Sequence, residues 1–292
     1  MPALVAPASA AEDCTLKQLA AVETTAATSG GMLVPVTMAG KQVKMLLDTG
    51  GYMSSVSPRV ARELGLATRH VGIVQYDVAG KPIDQTVDVR DFRLGTLKAS
   101  SLEFMVGEPP SGTDGVLAPN ILQAYDVELD FPRKKLSLIS PDHCKGQVVY
   151  WPNTAVAAVP MRITETGHIV FRMQLDDQRV QAMLDTATQR TTLSTSAASR
   201  LFNINASMPT YRFKTLSVEG ITVNNPEIAL ASNITRAPTT RASGLLSSDE
   251  RRDTPDLLLG MSTLKHLHVY IAYKERMLYI TAGDSSGTRR PS

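Results

Sequence analysis

Met45-Leu46-Leu47-Asp48-Thr49-Gly50 and Ala182-Met183-Leu184-Asp185-Thr186-Ala187 are two copies of one phrase, an apolar run that ends in Asp-Thr-small. The two aspartates stand 137 residues apart, and the same interval relates residues well outside the phrase. Upstream, Met38 corresponds to Leu175 and Val43 to Val180. Downstream, Ser54-Ser55-Val56-Ser57 corresponds to Thr191-Thr192-Leu193-Ser194, Ala61 to Ala198 and Leu64 to Leu201. Self-similarity at a fixed interval marks a chain built from copies of one structural unit. Each unit offers one carboxylate at the end of an apolar run. Packing the units about a pseudo-twofold axis would bring the two carboxylates together, and paired carboxylates point to acid–base chemistry.

The residues around each phrase predict the same local plan twice. Residues 32–38 and 43–47 are strand-like and flank Ala39-Gly40-Lys41, which reads as a hairpin. Residues 169–175 and 180–184 repeat it around Asp176-Asp177. Ser57-Pro58, followed by Val60, Ala61, Leu64 and Gly65, predicts a helix of two turns. Ser57 is its N-cap, Pro58 its first residue and Gly65 its stop. Ser194 opens the matching helix. Asp114-Gly115-Val116-Leu117-Ala118 returns as Asp256-Leu257-Leu258-Leu259-Gly260, now at an interval of 142, so the second unit is five residues longer by this point. The differences are concentrated in two places. The first unit has room for a long hairpin between Ile73 and Val87. The second inserts a polar loop from Ser232 to Pro255, long enough to expect a functional role or disorder.

The 292 residues suffice for two modest cores. The expected division is a signal remnant and lead-in (1–30), a first lobe (31–140), a linker (141–158), a second lobe (159–281) and a disordered tail (282–292). Abundant Val, Thr, Leu and Gly, with little helical periodicity, favour β structure. The formal charge of +2, with no basic cluster interleaved with aromatics, argues against nucleic acid as a partner. No apolar run approaches the roughly 20 residues of a membrane helix. Residues 3–11 resemble the end of a secretory signal, with Ala8-Ser9-Ala10 as a small-x-small cleavage site, so an exported protein, periplasmic or secreted, is expected. The only two cysteines, Cys14 and Cys144, flank the first unit and read as one disulfide stapling its ends. They are too few for a structural zinc site. His143, His168, His266 and His268 lack metal-ligand spacing and read as surface or satisfied histidines. Gly-x-Ser-x-Gly and phosphate-loop patterns are absent.

With these motifs in hand, the sequence resembles the pepsin/retropepsin superfamily of aspartic proteases, and within it the two-lobed, single-chain, retropepsin-like proteins of bacteria. The resemblance spans residues 30–140 and 159–281. It implies an all-β, two-lobed pepsin-like (acid protease) fold, each lobe a retropepsin-like β-barrel with a short helix. It also implies an aspartic endopeptidase: Asp48 and Asp185 as the catalytic pair, with Thr49, Gly50, Thr186, Ala187 and Thr188 supporting them. Thr49 and Thr186 would hydrogen-bond across the axis, and Val116-Leu117 and Leu258-Leu259 would thread beside the two phrases. Residues Tyr76, Asp77, Val78, Ala79 and Gly80 fall where family members close a flap over the substrate, and the second unit lacks an equivalent. The mechanism requires no cofactor and no metal. The implied partner is a peptide or unfolded protein, and the chain is expected to be a monomer. This sequence departs from the family pattern at Ala187 and Ala118, where Gly is usual. It also has Gly51 where Thr188 of the second copy can donate to its aspartate, which makes Asp185 the better stabilised anion. Two alternatives stay open: the same fold and acid pair turned to a small metabolite, or a catalytically silent peptide-binding protein.

Overall fold

Along Met32–Met38 and Lys41–Leu47 the outer residues alternate between buried and more exposed, and the inner ends are wholly buried. In the computed structural model of the chain they form an antiparallel hairpin. Its two-residue turn, Ala39 and Gly40, has φ of 48° and 81°, the backbone that matches the twist of the flanking strands. The copy, Ile169–Leu175 and Gln178–Leu184, turns at Asp176 and Asp177 with φ of 43° and 65°. A short polar side chain tolerates that region best after glycine. The structure describes residues 14–76, 82–152, 155–205, 207–232, 234 and 254–283.

The helix signals hold as read. Pro58–Glu63 begins behind Ser57, whose Oγ accepts from the Val60 N–H at 3.1 Å. Gly65 stands beyond its end with φ of 63°. Thr195–Phe202 begins in the same way behind Ser194, whose Oγ accepts from Ala197 N–H at 3.1 Å. The duplicated Asp114 and Asp256 act as paired braces. Asp114 Oδ2 accepts from Lys44 N–H and Asp256 Oδ2 from Gln181 N–H, each at 2.9 Å. Each thereby ties the closing segment of its lobe to the strand that leads into its Asp-Thr phrase.

The fold is all-β and two-lobed. One sheet of eight strands runs 25–26, 32–38, 41–47, 115–117, 55–56, 97–106, 82–94 and 68–76. The second sheet, of fourteen strands, begins with 18–23, 135–139 and 126–130. It passes through 267–272, 277–282 and 157–163, and continues into the second lobe. The lobes join where Asp126–Asp130 pairs antiparallel with Leu267–Ala272, Val127 opposite Ile271 and Asp130 opposite His268. The lead-in contributes Gln18–Glu23, paired along Lys135–Ile139, so it forms an edge strand of this shared sheet. Lobe one carries the long hairpin Thr68–Tyr76 and Pro82–Leu94. Over the corresponding stretch of lobe two the described residues form the shorter hairpin Thr215–Val218 and Ile221–Asn224, flanked by the pair Thr210–Arg212 and Glu227–Ala231.

Along Asp126-Val127-Glu128-Leu129-Asp130 every second residue is acidic, and all five are buried. Val127 and Leu129 face the main core. The acids face the other way, under the linker, where each has a donor. Asp126 accepts from Tyr270 Oη–H (3.2 Å) and Tyr273 N–H (3.1 Å) and lies 2.6 Å from His143 Nε2. Glu128 accepts from Tyr150 Oη–H at 2.7 Å and contacts His268 Nε2 at 2.9 Å. Asp130 binds Arg133 at 2.8 Å. Trp151 covers the row, stacked on His268 with ring centroids 3.9 Å apart. The Cys14–Cys144 disulfide pins the same linker beside it.

Burial alone would raise the Glu128 carboxyl, but the hydrogen bonds from His268 and Tyr150 outweigh it and hold the group below the usual range. A depressed carboxyl stabilises the fold above its unfolded value, near 4.3, and loses that contribution as pH falls through its folded value. Glu128→Gln is therefore expected to cost about 1–3 kcal/mol at neutral pH and clearly less near pH 3. Urea unfolding of wild type and variant across this range checks it. A penalty that stays constant with pH would refute the assignment.

Candidate active site

Both Asp-Thr phrases sit at the ends of wholly buried strand segments. Each is held in place by a third strand threading alongside in parallel: Gly115–Leu117 beside Lys41–Leu47, and Leu257–Leu259 beside Gln178–Leu184. Asp48 N–H donates to Leu117 O at 3.0 Å, and Asp185 N–H to Leu259 O at 3.1 Å. A second bracket is also duplicated. The Ser54 hydroxyl meets Ala118 N–H at 2.9 Å, and the Thr191 hydroxyl meets Gly260 N–H at 3.2 Å. Asn120 Oδ1 accepts from Ser54 N–H, as Ser262 Oγ does from Thr191 N–H, each at 2.8 Å. Sequence reasoning assigned no role to Ser54, Asn120, Thr191 or Ser262, although the repeat intervals already paired them.

The two phrases interlock. Thr49 N–H donates to Thr186 Oγ1 at 3.1 Å, and Thr186 N–H to Thr49 Oγ1 at 3.2 Å. The Thr49 hydroxyl donates to Leu184 O at 2.9 Å, and the Thr186 hydroxyl to Leu47 O at 2.8 Å. Four bonds thus form a reciprocal lock between completely buried threonines. Every donor and acceptor in it has a partner, which is the condition for buried polar groups to hold a geometry.

The carboxylates converge on Gly50. Its N–H donates to Asp48 Oδ1 at 3.0 Å, and a β-carbon placed on it would lie 2.7 Å from Asp185 Cγ. A side chain cannot be accommodated there. Ala187, its counterpart, carries its methyl group against Ala27, Leu33 and Leu46 instead. The departure from Gly is therefore absorbed by packing on that side of the axis. Asp185 accepts from Ala187 N–H and Thr188 N–H, both at 3.0 Å on Oδ1, and from the Thr188 hydroxyl at 2.6 Å on Oδ2. Gly51, the counterpart of Thr188, has no hydroxyl to offer Asp48. Both aspartates are more than nine-tenths buried.

Residues 34–121 match the family model described as aspartyl protease. Over these residues the chain is similar to aspartyl proteases, and as a whole it has the two-lobed pepsin-like fold. A comparison with curated proteins found no match. Among solved structures, an aspartic proteinase from Irpex lacteus superposes with a TM-score of 0.55 at 11% identity, over 90% of this chain and 97% of that one. Basic 7S globulin from soybean gives 0.53 at 11% identity, over 93% and 96%. Conglutin gamma from lupine seeds gives 0.55 at 10%, over 91% and 95%. Identities this low, across proteins named as a proteinase and as globulins, carry the superfamily fold and nothing finer.

Of the proposed flap residues, Tyr76 ends the strand Thr68–Tyr76, its backbone opposite Pro82. Asp77, Val78, Ala79 and Gly80 lie outside the described residues, as do most of the Ser232–Pro255 loop, the signal-like residues 1–13 and the tail from 284 onward. Cys14 and Cys144 are joined. No helix among the described residues is long and apolar enough to cross a membrane. His143 and His268 are buried and satisfied by carboxylates. His168 is different: its ring lies against the backbone of Gly50 and Gly51, beside Asp185. The signal that could have found it is the repeat itself, which sets His168 in register with Gly31.

Proposed function

We propose that the chain is an aspartic endopeptidase in which Asp48 and Asp185 hold a water molecule between them and hydrolyse a peptide bond. The observation that carries this reading is the reciprocal Thr49–Thr186 lock, which draws two duplicated, buried aspartate loops onto one axis. Two carboxyl groups so placed share one proton, because like charges at close range do not both ionise. Asp185, with three donors from its own loop, starts as the anion and takes a proton from the water. Asp48 starts protonated and gives its proton to the carbonyl oxygen as the water oxygen bonds to carbon. As the neutral gem-diol collapses, one of its hydroxyls returns a proton to Asp48, the C–N bond breaks, and the proton held by Asp185 goes to the departing amine nitrogen, which restores the starting state of the pair.

The substrate lies extended between lobes formed by residues 31–140 and 159–281, and Tyr76, Asp77, Val78, Ala79 and Gly80 are assigned to binding it. Export from the cytoplasm is consistent with the Cys14–Cys144 bridge, since disulfides persist in oxidising compartments. The test is incubation with a mixed peptide library from about pH 3 to 7, with and without a hydroxyl-bearing transition-state mimic of peptide hydrolysis. Cleavage on the acid side that fades toward neutrality and is blocked by the mimic is the expected result. A library left intact at every pH would overturn the reading.

A further inference from the structure

The turn before Ile169–Leu175 places a half-buried imidazole from lobe two against the loop of lobe one that carries Asp48. The His168 backbone N–H donates to Thr164 Oγ1 at 3.1 Å; the Thr164 and Thr166 hydroxyls are 2.8 Å apart; and Thr166 Oγ1 is 3.0 Å from His168 Nδ1. Only one direction gives each hydroxyl proton an acceptor within this ring: Thr164 donates to Thr166, and Thr166 donates to Nδ1. The ring proton is thereby assigned to Nε2. Nε2 is itself buried and makes no hydrogen bond of normal geometry among the described residues. What it faces is the backbone of Gly50 and Gly51.

That backbone positions both acids. Gly50 N–H holds Asp48 Oδ1, and Asp185 rests against the same residue so closely that a methyl group would collide with it. In the other half the register equivalent of His168 is Gly31, and a β-carbon there would lie 3.1 Å from Thr186 O. The backbone of lobe one thus packs directly on the second aspartate loop, whereas lobe two reaches the first through an imidazole.

We propose that His168 is a positioning residue for the acid pair, its Nε2–H bracing the Gly50–Gly51 backbone from the opposite lobe. This inference rests on the peptidase reading for its kinetic consequence and on geometry alone for its existence. Burial lowers the basicity of the ring, an effect that Asp185 and the Gly50 and Gly51 backbone partly offset. Protonation at Nδ1 would turn the Thr166 hydroxyl round and leave a Thr164 proton without its acceptor in the ring.

Two substitutions and one titration test it. His168→Phe keeps bulk and removes the donor. It is expected to lower kcat by about 10- to 100-fold, the scale of a small misplacement of reacting groups, with KM nearly unchanged. His168→Gln restores an N–H at similar reach and is expected to recover most of the loss. Phe at wild-type kcat, or Gln as impaired as Phe, would overturn the proposal. The titration requires no turnover: the His168 ring is followed by nitrogen NMR in the wild type and in the Asp48→Asn/Asp185→Asn double variant, because either single variant leaves one carboxyl to carry the negative charge. Loss of the pair's charge should lower the pH at which the ring protonates, and an unchanged titration would also overturn the proposal. If the wild type cleaves no peptide, the peptidase reading falls while the titration still decides whether His168 is coupled to the acid pair.

Discussion

Asp48→Asn and Asp185→Asn each lower peptide hydrolysis by about 10³-fold or more, and both variants fold. The magnitude follows from losing a general acid or base that must act in turn with its partner. The preserved fold follows from the local contacts. In Asp185→Asn a side-chain carbonyl oxygen remains to accept from the Ala187 and Thr188 N–H groups, and the new amide faces a Thr188 hydroxyl free to rotate and accept. Asp48→Asn likewise keeps an acceptor for Gly50 N–H. With one acid replaced by a neutral isostere, the other ionises without a competing carboxyl beside it, so melting temperatures should stay level or rise slightly. Turnover of the best library peptide, read beside calorimetry, decides the matter. A single variant that retains wild-type turnover removes the acid pair from the mechanism.

Breaking the Cys14–Cys144 bridge has the largest expected effect on stability. The bond closes a loop of 130 residues, worth about 5 kcal/mol in the chain-entropy account. It also fastens the lead-in and the linker where they cover the buried acid row. Cys14→Ser with Cys144→Ser is expected to lower the melting temperature by roughly 10 °C or more. Turnover at low temperature should be unaffected, because the bridge sits in the linker beside the buried acid row. Calorimetry of the double variant, and of wild type with and without reductant, measures this. A loss below about 1 kcal/mol would mean that residual structure in the unfolded chain already supplies the constraint.

Much of the architecture is legible in the sequence because it is written twice. The hairpins, the Ser57 and Ser194 caps and the strands beside each aspartate all appear at repeat-related positions, and each signal is local. The Asp-Thr phrases are legible for the same reason. What escapes is long-range. Asp126-Val127-Glu128-Leu129-Asp130 has the alternation of a half-exposed strand, and nothing near it says that Tyr150 and Trp151 fold over its polar face. His168 escapes because its significance lies in Gly50 and Gly51, more than a hundred residues earlier.

The contrast between Gly50 and Ala187 has an evolutionary meaning. In an assembly of identical subunits, any change beside the twofold axis occurs on both sides at once, so the axis accepts only what both sides can bear. At position 50 a methyl group would strike the opposing carboxylate; at position 187 it finds an apolar niche. A strictly symmetric ancestor would have had to refuse the alanine or take it twice. One polypeptide that holds both copies is under no such veto, since each half can change alone, and each one-sided change makes the halves less interchangeable.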